Sequence, residues 1–344
     1  MPNHNNGAKL LAVGLFLVTA AMFYLAGCQS PKPATSIVPE TASSEAVFVG
    51  NQACETCHAD IFKEHHGSNH DRTLRTASQA GMGEQFPKPA KLENHPFVVS
   101  ESGGSLSLAP KADPNGAIPL NFVLGAGKNG VTFVTPWEGG KLVEAHMSYL
   151  PKQKRWFTTP GQNHPDEATR TGVVWNDSIG RRCIGCHSIP RGKFAAFPDE
   201  KMFGVGCEAC HGPASNHVEA MKRDKKAPLA IEKLSKLGGN GINELCGSCH
   251  RTQQGIAKGT DDEASTQRFQ PYGLSLSKCF KSSNDALTCM TCHSPHKDAE
   301  KGAKYYNPVC QSCHTVGVTP AVKLTRVVAC KVQQDGDCIK CHML

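Results

Sequence analysis

The pattern Cys-x-x-Cys-His occurs seven times in this 344-residue chain. The copies run Cys54–His58, Cys183–His187, Cys207–His211, Cys246–His250, Cys289–His293, Cys310–His314 and Cys338–His342. At this composition chance supplies roughly 0.04 copies. The motifs take most of the chain's 17 cysteines and close to half of its 16 histidines. Aromatic residues make up only 6% and hydrophobic residues 39%. A chain this long and this poor in large apolar side chains is badly supplied for a conventional core. Whatever the motifs hold must fill part of the interior.

The spacing has a chemical reading. Two thiols three residues apart add to the two vinyl groups of one porphyrin, and the next histidine then lies beneath the ring as an iron ligand. On this reading the tethering cysteines are Cys54, Cys57, Cys183, Cys186, Cys207, Cys210, Cys246, Cys249, Cys289, Cys292, Cys310, Cys313, Cys338 and Cys341. The proximal ligands are His58, His187, His211, His250, His293, His314 and His342, and the cofactor is seven covalently bound haem c. Zinc also uses cysteine and histidine, but it needs paired half-sites and does not require a histidine directly after the second cysteine. Seven is odd, and every copy has that histidine.

Beyond the leader eight further histidines remain: His65, His66, His70, His95, His146, His164, His217 and His296. Seven haems need at most seven distal ligands, so supply nearly equals demand. His217, in CHGPASNH, and His296, in CHSPH, lie too close to their own motifs to reach the far face of the same ring. Each is expected to ligate a neighbouring haem, which requires the haems to pack closely. His70, in HHGSNHDR, is expected on a helix after the first motif. His65 and His66 point to different helix faces, so at most one binds, with His66 preferred. His146 and His164 in the long gap between motifs one and two complete the distal set, and His95 ranks last. Methionine is scarce in the mature chain, so most haems are expected to be bis-histidine and of low potential.

The N-terminus reads as an export signal, residues 1–27, with an apolar run Leu10–Gly27 behind Lys9. Leu25-Ala26-Gly27-Cys28 resembles the lipobox of bacterial lipoproteins, which implies acylation of Cys28. An uncleaved anchor is the competing reading of the apolar run. Gln29 after Cys28 favours the outer membrane. Residues 28–46 are rich in Pro, Ser, Thr and Ala and read as a flexible tether. The expectation is a bacterial cell-envelope protein, lipid-anchored and facing the periplasm, where disulfides are permitted. Cys279 and Cys330 are left over and are candidates for one, with two separate thiols as the alternative. The net charge of +7 comes without a nucleic-acid motif, and haem propionates would offset it, so no nucleic-acid partner is expected.

The expected fold class is mainly α with little regular structure, a multihaem cytochrome c domain over 47–344 built around packed haems. One stretch differs. From about 95 to 159, FVVSESGGSLSLAP, PLNFVLG, GVTFVTPWEGGKLVEAHMSYL and RWFTTPG are short, partly alternating and Gly-punctuated, and WEGGKL reads as a hairpin turn. A small antiparallel β insertion is expected there.

FVGNQACETCHADIFKEHHGSNHDR, GRRCIGCHSIP, GVGCEACHGPASNHVEA, LTCMTCHSPH and GDCIKCHML together resemble the multihaem cytochromes related to cytochrome c-554. The resemblance covers most of 47–344. It implies distal-ligand roles for His70, His217 and His296. The β insertion and the seven motifs depart from the compact four-haem member of that family. The absence of CxxCK speaks against the pentahaem nitrite reductases. The expected function is electron transfer through a chain of mostly bis-His haems. Its partners would be redox proteins, such as other cytochromes or membrane quinol-linked complexes, together with the membrane itself through the lipid. The alternative is an oxidoreductase acting on a small nitrogen or sulfur compound at a five-coordinate haem.

Overall fold

Alternation of apolar and polar residues between glycine pairs dictates hairpins, and in the computed structural model hairpins dominate the first half of the chain. The structure describes residues 46–81, 95–162, 170–189, 197–252, 269–314 and 336–342, all within the unit spanning 39–344. The expectations for the leader 1–27, for Cys28 and nearly all of the tether, for His164 and for Cys330 fall outside these residues.

Ten strands are described: β1 Leu74–Thr76, β2 Phe97–Ser102, β3 Ser105–Pro110, β4 Ile118–Pro119, β5 Phe122–Leu124, β6 Thr132–Pro136, β7 Leu142–Ala145, β8 Met147–Leu150, β9 Arg155–Thr158 and β10 Gly172–Trp175. They form three antiparallel sheets, ordered β1-β5-β6-β7-β10, β2-β3-β4 and β8-β9. The β2–β3 hairpin closes through Gly103 and Gly104 alone, both at positive φ. That is the two-residue turn that matches strand twist and that side chains resist. Phe97 and Val99 on β2 and Leu106 and Leu108 on β3 alternate into the core, as a half-buried hairpin requires. WEGGKL does form a turn, between β6 and β7, with Gly139 and Gly140 again at positive φ.

Two corrections to the expected fold follow. Sheet is substantial, so mainly α with little regular structure describes only part of the chain. The β region is also wider than 95–159, because β1 and β10 lie outside those limits and form the two edges of the largest sheet. β1 is three residues long and directly follows the His70 turn. So short a strand leaves too little alternation to read.

The helices are short and organised around the motifs. α1 is Gln52–Glu55 and α2 is Ala59–His65. Five helices end on a motif histidine: α3 Asp177–His187, α4 Cys207–His211, α6 Gly238–His250, α10 Ala303–His314 and α11 Cys338–His342. Both α4 and α11, together with α9 Cys289–Cys292, start on a motif's first cysteine. Between them lie α5 Ser215–Arg223, α7 Gln270–Leu276 and α8 Lys278–Ser282.

The apolar cores sit almost wholly in the β region. One gathers Phe97, Leu108, Val123, Phe133, Met147 and Trp156. The other packs Ile184 of α3 against Leu74, Leu124, Val134, Leu142 and Trp175, so the helix carrying the second motif is seated on the largest sheet. In α9, α10 and α11 no described residue is buried by protein. Helices of this kind need another apolar body to pack on, and the porphyrin expected at each motif would supply one.

Glu144 on β7 is held by hydrogen bonds from Gln162 and Trp175, yet burial outweighs them and pushes its carboxyl above the ordinary value. A raised acid makes folding most favourable where it is protonated. Stability from this group is lost as pH rises from the unfolded carboxylate value through the folded one. Glu144→Gln is therefore expected to melt higher than the natural protein at pH 7, with the difference closing near pH 4, in thermal melts followed by far-ultraviolet circular dichroism.

Candidate functional site

Among the described residues, three motif histidines each face a second imidazole from another part of the chain. His58 and His217 are stacked with ring centres 6.3 Å apart and planes 22° from parallel. His211 and His296 are stacked at 6.4 Å and 15°. His250 and His70 stand 6.0 Å apart at 60°. Two imidazoles that ligate one metal ion from opposite sides, each nitrogen about 2 Å from it, carry their ring centres roughly 6 Å apart. The spacing is too wide for contact stacking and suits one ion between the rings.

The orientation of these rings agrees. The Nδ1 atoms of His187, His211, His217 and His70 meet the backbone carbonyls of Thr73, Glu232, Leu229 and Pro295 at 2.9, 3.0, 2.5 and 3.3 Å. A carbonyl only accepts, so Nδ1 carries the proton and Nε2 keeps its lone pair for a metal. Tyr306 Oη lies 3.4 Å from Nδ1 of His293. Burial pushes the imidazoles of His187, His250 and His296 below their ordinary value, which keeps them in the neutral, ligating form.

His217 owes its place to the chain between it and its own motif. α4 ends at His211, and Gly212 takes φ +75°, a conformation suited to glycine. Pro213 follows, and α5 then carries His217 away from His211 and up to His58. His296 lies in the turn after α9. His70 precedes a single 3-10 turn, Asp71–Thr73. Thr73 then binds the second motif twice, through Nδ1 of His187 and by donating its hydroxyl to the His187 carbonyl.

The remaining expected ligands stand elsewhere. His66 caps α2 in extended conformation, its side chain is 71% exposed, and it pairs with Asp71 at 3.4 Å. His65, the neighbour passed over, is the buried one, and its Nε2 meets the Val205 carbonyl at 3.1 Å. His146 lies in the β core with its ring 4.8 Å from that of Phe97. His66 is turned to solvent by the end of its helix, and His146 is drawn inward at the β7–β8 junction. Cys279 is exposed on α8, near Cys310.

The cysteines show which motifs are neighbours. The thiols of Cys54 and Cys207, Cys186 and Cys249, Cys246 and Cys289, and Cys310 and Cys338 lie close enough to shift one another's acidity. Cys246 also lies within electrostatic reach of Cys210, and Cys310 of Cys292. In motif order these contacts run 1–3–4–5–6–7, with motif 2 attached at motif 4. Hydrogen bonding between partners splits their acidities: contact with Cys207 and burial push Cys54 far up, while contact with Cys246 pulls Cys289 down to about 7. Once both sulfurs are thioethers neither titrates.

Sequence reading missed Glu208, inside the third motif. Its side chain is 2% exposed. It accepts hydrogen bonds from the backbone N–H of Val49 at 3.0 Å, Gly50 at 2.7 Å and Ala214 at 2.8 Å. It thereby fastens the approach to motif 1 and the start of the His217 helix to motif 3. Glutamate at a variable motif position carries no such signal in the sequence.

Residues 199–315 match the family model of cytochrome c3, and residues 148–212 match that of cytochrome c554 and c-prime. The chain is similar to the multihaem cytochrome MtrA of Shewanella baltica, 26% identical over 38% of this chain and 51% of MtrA. It is also similar to cytochrome c-554 of Nitrosomonas europaea, 34% identical over 21% of this chain and 36% of that protein. The chain thus spans about half the length, or less, of the curated relatives it matches. Among solved structures the outer cell wall cytochrome OcwA aligns at 18% identity with a TM-score of 0.37, over 59% of this chain and 37% of OcwA.

Proposed function

We propose that the chain is a multihaem c-type cytochrome, as its resemblance to the cytochrome c3 and cytochrome c-554 families supports, and that it binds seven haems covalently and passes electrons along them between redox partner proteins. Bound haem supplies a one-electron couple at each site. The chain's own residues do the rest. The two motif cysteines would hold the ring at each site, and the motif histidine would offer Nε2 to its iron. His217, His296 and His70 would supply a second imidazole at the first, third and fourth motifs respectively. Paired imidazoles would favour a low potential at these three sites, and the cysteine contacts bring neighbouring motifs together.

The observation that carries this reading is the set of three histidine pairs, each joining residues from different motif neighbourhoods across a gap that suits one metal ion. The lipobox-like Leu25-Ala26-Gly27-Cys28 supports a lipid-anchored location at the bacterial cell envelope, facing the periplasm, with the outer membrane favoured by Gln29.

The test is a haem count by intact mass, followed by redox titration and electron paramagnetic resonance of the purified protein. Seven haems, low-spin signals and full reversible reduction without turnover of nitrite, hydroxylamine or nitric oxide are expected. A high-spin haem that binds one of these and turns it over would replace the carrier reading with the oxidoreductase reading.

A further inference from the structure

Asparagine stands three residues before the first cysteine in three motifs, at Asn51, Asn243 and Asn307. The corresponding positions of the other four are Gly180, Gly204, Ala286 and Asp335. The three asparagines act alike. Each reaches out of its own motif, and its Oδ1 accepts a hydrogen bond from the backbone N–H of the first cysteine of another: Asn51 from Cys207 at 2.9 Å, Asn243 from Cys289 at 3.0 Å and Asn307 from Cys338 at 3.1 Å.

Those cysteines open α4, α9 and α11, where the first N–H groups have no partner within the helix. In α11 the preceding Asp337 accepts from Lys340, one turn in, and leaves the Cys338 N–H to Asn307. In α4 the preceding residue is Gly206, which has no side chain to cap with. A Cβ at Gly206 would overlap the Asn51 side chain. Each asparagine is thus a helix cap supplied in trans.

The second half of the amide repeats as well. Nδ2 of Asn243 donates to the Leu287 carbonyl at 3.2 Å, and Nδ2 of Asn307 donates to the Gly336 carbonyl at 2.7 Å. Both carbonyls lie two residues before the capped cysteine. At the third junction the equivalent carbonyl is that of Val205, and it is taken by Nε2 of His65. This gives the buried His65 a role that is not metal ligation. At all three junctions the first cysteines of the two motifs are in contact: Cys54 with Cys207, Cys246 with Cys289, and Cys310 with Cys338. The second motif has neither the asparagine nor this contact, and meets the fourth through the second cysteines, Cys186 and Cys249.

We infer that Asn51, Asn243 and Asn307 are positioning residues that lock six of the seven motifs into three haem pairs, first with third, fourth with fifth and sixth with seventh, leaving the second motif as a branch on the fourth. The inference rests on the reading of the motifs as haem sites. Two haems held close in one fixed orientation couple their Soret transitions and give a two-signed circular dichroism band, so loss of a lock is read as loss of that pair's share of the band. The experiment uses the full holoprotein and its variants Asn51→Ala and Asn51→Asp, with Asn129→Ala, on a β-region loop, as control.

Intact mass is read first. Fewer than seven haems on the natural protein would defeat the haem reading itself, before any variant is considered. With seven in place, Asn51→Ala is expected to weaken the band, while Asn51→Asp, which keeps the accepting oxygen, and Asn129→Ala keep it. An unchanged band in Asn51→Ala, or an equal loss in Asn51→Asp, overturns the inference. If Asn51→Ala fails to attach a haem, the haem count of Asn51→Asp decides: seven supports the lock, and fewer overturns it.

Discussion

His217→Ala turns one low-spin haem high-spin while intact mass still reports every haem attached. The residue lies on α5, its Nδ1 proton is committed to the Leu229 carbonyl at 2.5 Å, and its ring faces that of His58 at 6.3 Å. With His58 and His217 proposed to hold one haem iron between them, truncation would remove one of its two imidazoles and leave a space which water or a small ligand can enter. A weak or absent sixth ligand converts the iron to high spin and raises its reduction potential, because the imidazole no longer stabilises the oxidised form. Attachment is unaffected, since Cys54, Cys57 and His58 remain. His66→Ala is the matched control. That ring is exposed and paired with Asp71, so its loss leaves the spectrum as it was. An electron paramagnetic resonance spectrum of His217→Ala without a new high-spin signal would return His217 to an ordinary surface role.

The second large effect belongs to Glu208. Replacing it with Ala strands two buried N–H donors, those of Gly50 and Ala214, and the half-buried one of Val49. At about 1–3 kcal/mol for each of the two buried donors, the loss is roughly 2–6 kcal/mol. That is a large share of the ~5–15 kcal/mol by which a typical domain is stable. Glu208→Gln keeps one accepting oxygen but sets an amide NH2 against other donors, so an intermediate loss is expected. Denaturant titration followed by far-ultraviolet circular dichroism measures both. The loss also has a local signature. Val49 and Gly50 lead into motif 1, and Ala214 begins the helix of His217, so Glu208→Ala is expected to produce part of the high-spin signal of His217→Ala. A Glu208→Ala variant as stable as the natural protein would show that these donors find other partners.

The motifs were legible because their spacing is set by covalent chemistry, and the hairpins because glycine pairs and alternation are local signals. CHGPASNH showed that His217 lies too near its own motif to serve the same haem, and the structure sets it opposite His58. What escaped was non-local. Which of His65 and His66 is buried depends on where α2 stops, a matter of one residue. His146 resembles any other spare histidine until β7 and β8 close around it. The asparagines were visible at 51, 243 and 307, the first just ahead of α1 and the others inside α6 and α10, but a cap is ordinarily expected to serve the helix it begins. Only the partner's position shows that these cap someone else's.

The three asparagine locks differ greatly in the length of chain they close. Asn307 and Cys338 are 31 residues apart, Asn243 and Cys289 are 46 apart, and Asn51 and Cys207 are 156 apart with the whole β region between them. Closing the longest loop rather than the shortest costs about 1.4 kcal/mol more in chain entropy, and contacts so distant in sequence form late in folding. The two C-terminal pairs can each assemble from a short, nearly self-sufficient stretch. The first motif, although the first to be synthesised, must wait for the sheets to form and for the third motif to arrive. On this ground the junctions are expected to close against chain order, the N-terminal motif last.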